Sequence, residues 1–292
     1  MSGWLKKHIK SIWLLAATIL LVSTQNCLAI SPDWIVDNHN IFSVYNPATN
    51  ELDKKCRLNI LGSFSHQANT SSPQYYLFTG SLPIATDYLD FTVGLDAEYY
   101  KTGDYNFKQI HLQLTGKYTL KSGTLSYGIA PGFNSSTVSD KDNITLTRNR
   151  FSLNGGVMFE NKLVNLGISA TQLFTKQNSL GHLYGRITIP AGIVEIIPSA
   201  MYSTDFSYSR ADVLGQLRFW RKFSIGGGWS SSHFAAVTAR IDFDDFYLGY
   251  SFSFPDQATE IKVFNHQIFA GYSFKINLNE PTRFVSKSIR YM

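Results

Sequence analysis

From residue 89 onward the chain alternates apolar and polar positions with a period of two. Leu89, Phe91, Val93, Leu95, Ala97 and Tyr99 are separated by Asp90, Thr92, Gly94, Asp96 and Glu98. Successive side chains of a strand point to opposite faces, so this pattern is a strand with one apolar and one polar or small face. The pattern recurs at Ile110–Leu120, Leu125–Phe133 and Phe151–Phe159, and again at Phe246–Phe254 and His266–Ile276. Leu61, Leu214 and Phe269 interrupt the polar face, and the stretches 57–67 and 206–219 alternate more weakly. No segment repeats convincingly at 3.6 residues.

The pattern predicts about fourteen strands of roughly 10–13 residues, longer than the ~5–6 residues usual in soluble sheets. Such strands suit a bilayer crossing, apolar outward and polar inward. Hydrocarbon cannot satisfy backbone N–H and C=O groups, so a membrane sheet must close on itself. The expected fold is therefore all-β: a transmembrane antiparallel outer-membrane β-barrel. Connection lengths agree. Tight joints near 121–123, 161–162, 190–192, 221–222 and 244–245 alternate with longer polar ones around 102–106, 135–148, 175–181, 204–209 and 256–263. The joint at 230–232 is short where a long one is expected. An even strand number puts both ends of the mature chain on one side, the periplasmic side for short turns inside and long loops outside.

The first residues carry a different signal. Lys6, Lys7 and Lys10 precede an apolar run from Ile12 to Val22 and a polar stretch ending at Cys27-Leu28-Ala29. This reads as a secretory signal peptide, 1–29, cleaved between Ala29 and Ile30. A lipid-modified Cys27 is the competing reading, disfavoured by the large polar Asn26 before it. An irregular periplasmic lead-in (30–55), the barrel (56–277) and a basic periplasmic tail (278–292) follow.

Composition narrows the classes further. Charged residues are 16% of the 292, aromatics 14%. That aromatic content excludes a disordered chain. The net charge of +5 includes the three signal lysines, and the tail adds Arg283, Lys287 and Arg290 against Glu280. The body is near neutral, which removes the basic stripe a nucleic-acid partner needs. Cys56 is the only cysteine of the mature chain, so no intramolecular disulfide framework is expected.

Catalytic chemistry is not indicated. Ser251 in Gly249-Tyr250-Ser251-Phe252-Ser253 falls one residue short of a nucleophile elbow and lacks its strand-to-helix turn. The histidines are scattered without metal-ligand spacing. His233 beside Ser230, Ser231 and Ser232 has no identifiable acidic partner. No enzyme site, metal or cofactor is therefore expected. Arg186, Arg210, Arg218, Arg240, Lys117 and Lys275 share the inward parity with Asp96, Glu98, Glu160, Glu195, Asp212 and Asp242. They form either a selectivity lining or a mixed-sign network that fills and stiffens the lumen, and the mixture of signs favours the network. Trp220 and Trp229 fit an interfacial girdle.

Three stretches carry a family resemblance. Phe42-Ser43-Val44-Tyr45-Asn46-Pro47-Ala48 resembles the early Asn-Pro-Ala stretch of the PorP/SprF family of type IX secretion system membrane proteins, although Thr49-Asn50-Glu51 replaces the usual Ala-Gly continuation. Ile196-Ile197-Pro198-Ser199-Ala200 resembles that family's Pro-Ser strand. Finally, Gly249-Tyr250-Ser251 and His266-Gln267-Ile268-Phe269-Ala270-Gly271-Tyr272 resemble its closing strand pair, with Gln267 in place of an acid. These residues make the chain look like a divergent member. The resemblance implies a non-enzymatic outer-membrane barrel of gliding and secreting Bacteroidota. Such barrels support export or surface attachment of particular cargo proteins and associate with other type IX components. The rival class is a porin or FadL-like transporter of small solutes, which would plug its lumen with the N-terminal segment. A lead-in of about 25 residues with few apolar positions looks short for that purpose.

Overall fold

The computed structural model describes residues 42–49, 55–67, 73–85, 90–139, 145–174, 179–255 and 263–275. The signal region with Ala29 and Ile30, and the basic tail, lie outside these residues.

Fifteen strand segments follow one another: β1 (Cys56–Gln67), β2 (Gln74–Ala85), β3 (Asp90–Thr102), β4 (Tyr105–Leu120), β5 (Gly123–Ser139), β6 (Thr145–Glu160), β7 (Val164–Leu173), β8 (Leu180–Ile187), β9 (Ile189–Ala191), β10 (Val194–Thr204), β11 (Ser209–Phe219), β12 (Phe223–Ser230), β13 (Phe234–Phe243), β14 (Phe246–Pro255) and β15 (Val263–Phe274). β8 and β9 both pair with β10 and are one strand interrupted at Thr188. Fourteen antiparallel strands therefore form the sheet, each beside its sequence neighbour. β1 pairs with β15 from Cys56↔Phe274 to Gln67↔Val263, which closes the barrel.

The alternation maps directly onto the wall. Ile60, Leu112, Ile129, Ile168, Ile225 and Ile268 are exposed on the outer surface. An outward apolar band of this kind is what a bilayer requires. Aromatic groups mark both margins. Phe64, Tyr76 and Tyr99 cluster toward the long-loop rim, as do Phe252, Phe264 and His266. Phe219, Trp220 and Phe223 cluster at the short-turn rim, together with the Phe243–Phe246 and Tyr272–Phe274 pairs. Two aromatic belts separated by an aliphatic band are the interfacial girdles of a membrane barrel.

Two connections differ from the sequence expectation. The joint around 102–106 is a tight turn at Gly103-Asp104, because Thr102 pairs with Tyr105. The long loop expected at 135–148 is mostly strand, since β5 and β6 stay paired out to Ser139↔Thr145. β4, β5 and β6 are consequently 16, 17 and 16 residues long. A crossing needs only ~9–11 residues, so these strands project beyond the band as a ribbon. Ser, Thr and Asn occupy both faces of the projection. The alternation therefore stops where the lipid stops, while β-branched Thr and backbone pairing carry the strands on. A Thr137–Thr147 hydroxyl contact of 3.2 Å links two of them.

Candidate functional site

The inward residues line a packed interior. Leu61, Leu214 and Phe269, the apolar interruptions of the polar face, all point inward and are buried. They join Tyr75, Leu77, Met158, Tyr184, Met201 and Tyr247. Most of these form one cluster with Phe42, Val44, Tyr45 and Ala48, which belong to the segment before β1. The lead-in is therefore not wholly outside the barrel: residues 42–49 lie in the lumen. The lead-in read as a whole hid this, because its apolar residues fall in two groups, Trp34-Ile35-Val36 and 41–48, and only the second, from Phe42 onward, lies among the described residues.

The segment, hereafter the latch, begins with a single 3-10 turn, Phe42–Val44. The N–H groups of Tyr45 and Asn46 both donate to Phe42 O, at 3.0 and 2.9 Å, and Thr49 N–H donates to Asn46 O. Its seat is a row of residues in register across five neighbouring strands: Thr115 on β4, Gly128 on β5, Gly156 on β6, Ser169 on β7 and His182 on β8. The latch runs along this row. Thr115 Oγ1 donates to Pro47 O at 2.5 Å and Ser169 Oγ donates to Tyr45 O at 2.6 Å. Gln113 Nε2, one inward position further along β4, donates to Ser43 O at 2.9 Å. The Tyr45 ring meets His182 edge-on, with centroids 5.5 Å apart, and Phe42 packs on Tyr184 at 4.0 Å.

Between the two hydroxyls of the seat lie the two glycines. A Cβ on Gly128 would stand 2.2 Å from Pro47 O, and one on Gly156 would stand 2.2 Å from Asn46 Oδ1. Both distances are far inside contact, so the latch backbone at Pro47 rests on the bare backbone of Gly128 and the Asn46 side chain on that of Gly156. Asn46 is the keystone. Fully buried, it uses Oδ1 to accept from Ala48 N–H at 2.9 Å and Nδ2 to donate to Val157 O of β6 at 3.2 Å. A buried amide satisfied at both ends fixes the position of the chain.

Polar side chains around the latch are bonded to one another. Gln113 also bonds Asp96, while Glu98 accepts from Tyr75 Oη at 2.9 Å and from Gln109. His182 lies between Thr171 at 2.9 Å and Ser203 at 2.8 Å, and His111 contacts Ser152 at 3.1 Å. Elsewhere on the inner face charges pair with opposite signs. Arg218 meets Glu195, which also accepts from the exposed Arg221 of the β11–β12 turn, Arg240 meets Asp242, and Arg210 meets Asp212 at 2.9 Å. Arg240 also lies over the Tyr247 ring, 4.0 Å from its centroid. Six of the twelve inward charges named from the sequence are thus joined in three pairs of opposite sign.

The remaining motif residues divide by face. Tyr250, His266 and Tyr272 are on the outer wall, where Tyr250 Oη and His266 Nδ1 are 2.7 Å apart. Gly249 and Gly271 face inward, directly opposite Phe269 and Tyr247 respectively in the β14–β15 register. Cβ atoms there would lie 2.1 and 2.2 Å from those rings. In each Gly-Tyr pair, then, the glycine receives a lumenal ring and the tyrosine faces outward. Asn46, Pro47 and Ala48 lie in the latch, and Ala48 shares one buried cluster with Tyr247 and Phe269, while Tyr250, His266 and Tyr272 face away from it. His233 occupies the tight 231–233 turn at positive φ, its N–H donating to Ser230 O at 3.0 Å. Among the described residues no group of His, Cys, Asp and Glu is arranged to hold a metal.

The latch seat was missed in the sequence. Its signal was available: counting back from the tight turn at Lys121-Ser122 sets Thr115 opposite Gly128, and two inward glycines on adjacent strands leave a groove that something must fill.

The closed fourteen-strand sheet and its outward apolar band define an outer-membrane β-barrel. The toluene transporter TbuX of Ralstonia pickettii is similar in structure, with a TM-score of 0.55 at 9% identity over 80% of this chain and 92% of that one. The monoaromatic hydrocarbon channel CymD gives 0.53 at 11% identity, again over 80% and 92%. Identities this low establish shared architecture only. Sequence supplies the finer grouping: residues 39–272 match the family described as type IX secretion system membrane protein PorP/SprF, and the chain belongs to that family. The match starts three residues before the latch and ends at Tyr272. No curated protein matches the sequence. The family is that of a secretion-system membrane protein.

Proposed function

We propose that this barrel is a non-enzymatic component of the type IX secretion system in the outer membrane of a gliding or secreting member of the Bacteroidota. It supports export or surface attachment of particular cargo proteins. The family membership over residues 39–272 carries this reading. The short-turn rim and both ends of the mature chain face the periplasm, where the region around the latch and the basic tail meet other type IX components. The projecting β4–β6 ribbon and the long connections face outward, where exported cargo passes. A lumen that holds its own latch and paired charges supports a scaffold more readily than an open pore.

A second reading has one observation in its favour. A FadL-like transporter should place its N-terminal segment in the lumen, and residues 42–49 are there. Architecture shared with TbuX and CymD is compatible with it. The two readings separate in one pair of measurements. On the secretion reading, a deletion strain loses specific proteins from its secretome, and the tagged barrel co-purifies with type IX components from detergent-solubilised outer membrane. The purified barrel shows no solute-selective flux in planar bilayers or swelling liposomes. Robust selective flux with an unchanged secretome reverses the assignment.

A further inference from the structure

The projecting ribbon ends in an open sheet edge. β6 pairs with β5 along its whole length, from Thr145 opposite Ser139 to Glu160 opposite Thr124. On its other side β6 meets β7 only from Leu153, opposite Leu173, down to Glu160, opposite Asn165. β7 stops at Leu173. Among the described residues, Thr145–Ser152 therefore has no strand neighbour on the side away from β5. Alternate residues along this stretch direct backbone N–H and C=O groups into that space, which is a template for another strand. Thr145 to Asn149 are exposed, and so is Phe151.

Sheet edges are usually protected by proline, a bulge or charged side chains, lysine above all. Thr145-Leu146-Thr147-Arg148-Asn149-Arg150-Phe151-Ser152 contains neither proline nor lysine, and the register irregularity of β6 begins only at Leu153. The stretch does carry two like charges, Arg148 and Arg150, and no acid. Between Ser139 and Thr145 the sequence adds Asp140, Lys141 and Asp142, so the positive character of the edge is that of Arg148 and Arg150 themselves. Two copies of this edge would bring arginine against arginine, which opposes self-pairing. A strand bearing carboxylates gains both the backbone ladder and charge-assisted contacts.

We infer that Thr145–Ser152 is a β-augmentation site that takes an extended acidic segment of an exported protein as an added strand beside β6. The inference rests on the secretion reading above and names where that partner binds. Backbone pairing accepts many sequences, and the two arginines select by charge.

The test uses the full mature barrel in detergent with two synthetic probes: a peptide of alternating Thr and Glu, and its Thr–Lys counterpart. The acidic probe should slow hydrogen exchange of alternate amides within 145–152 and bind about tenfold more tightly than the lysine probe. R148E/R150E should reverse that preference, while R148K/R150K keeps it. Heat-modifiable migration verifies that each variant remains a folded barrel. In the native host, R148E/R150E should reduce export of the proteins that the deletion strain fails to export, again by about tenfold. No protection within 145–152 from the acidic probe overturns the inference, as does export unaltered by the charge swap in a host whose deletion does lose cargo. Protection without probe in a particle of two barrels would make the edge a self-association surface and also overturn it. A deletion that costs no export removes the secretion reading itself, and the inference falls with it.

Discussion

On the β4–β8 wall, the inward glycines Gly128 and Gly156 leave room for a distant part of the chain, the latch: Gly128 for its backbone at Pro47 and Gly156 for the Asn46 side chain. Across the lumen, Gly249 and Gly271 leave room for rings that belong to the sheet itself, Phe269 and Tyr247, each directly opposite its glycine. The second arrangement is a cross-strand pair that forms as β14 and β15 register, an aromatic ring covering a bare glycine. Tyr247 then reaches Asn59 on β1 at 2.8 Å, tying the ring to the seam that closes the barrel. The first arrangement needs five strands in register before its groove exists. Glycine on one wall seats rings of the sheet itself; on the other it seats a segment laid against the sheet. Latch and wall should therefore be separable by mutation.

The strongest test of that separation is Gly128→Val. Its Cβ alone would approach Pro47 O to 2.2 Å, and both partners are backbone, so neither can swing aside. The latch must leave. It forfeits the bonds from Thr115, Ser169 and Gln113, each worth ~1 kcal/mol. Burial of Phe42, worth about 2 kcal/mol more, is lost with them. Hydrogen exchange should show Tyr45, Asn46 and Thr49 losing protection, while heat-modifiable migration of the barrel persists. Retained protection at those amides would mean that the seat is not what holds the segment.

Asn46→Ala is milder because the groove stays open. It removes the bond to Val157 O and leaves Ala48 N–H without its acceptor in a fully buried place. The expected cost is about 2 kcal/mol, read as roughly thirtyfold faster opening-limited exchange in the latch. Gly271→Ala works on the other wall. The new methyl pushes the Tyr247 ring, and overpacking of this kind costs ~1–2 kcal/mol. The denaturant midpoint of the barrel should fall, with exchange at Tyr45 and Asn46 unchanged. If it also exposed the latch, the two walls would be one cooperative unit and the contrast between them would fail.

How much of this was legible beforehand follows the same division. The wall was readable because lipid imposes one rule on each strand separately: Leu112 and Leu114 must face out, Gln113 and Thr115 in. Even the exceptions Leu61, Leu214 and Phe269 were visible as breaks in that rule, since an inward ring needs only a neighbouring gap. The height of β4–β6 was not, because above the bilayer no solvent contrast separates the faces of Ser135–Ser139 and Thr145–Asn149. The latch was hidden for a different reason. Its partners are carbonyls of Ser43, Tyr45 and Pro47, and a backbone acceptor leaves no trace in residue type. Only Asn46, Pro47 and Ala48 stood out, through family resemblance, and resemblance named them without saying where they lie.

The smallest effect comes where latch and wall are joined covalently. Lys55, the last described residue before β1, pairs with Asp245 in the β13–β14 turn at 2.8 Å, Asp245 being about half exposed at 53%. This pair pins the start of β1 at the short-turn rim, next to the seam, after the chain has left the latch. Solvent screens it, so Lys55→Ala should cost less than ~1 kcal/mol. Its expected signature is a small drop in the denaturant midpoint at low salt that vanishes near ~1 M salt, where the screening length shrinks to ~3 Å. Latch amides should not respond. A salt-independent loss would place Lys55 in a desolvated contact, and accelerated exchange at Asn46 would show that tension at the β1 start is transmitted into the lumen. Either outcome would replace two separable walls by a latch mechanically coupled to barrel closure.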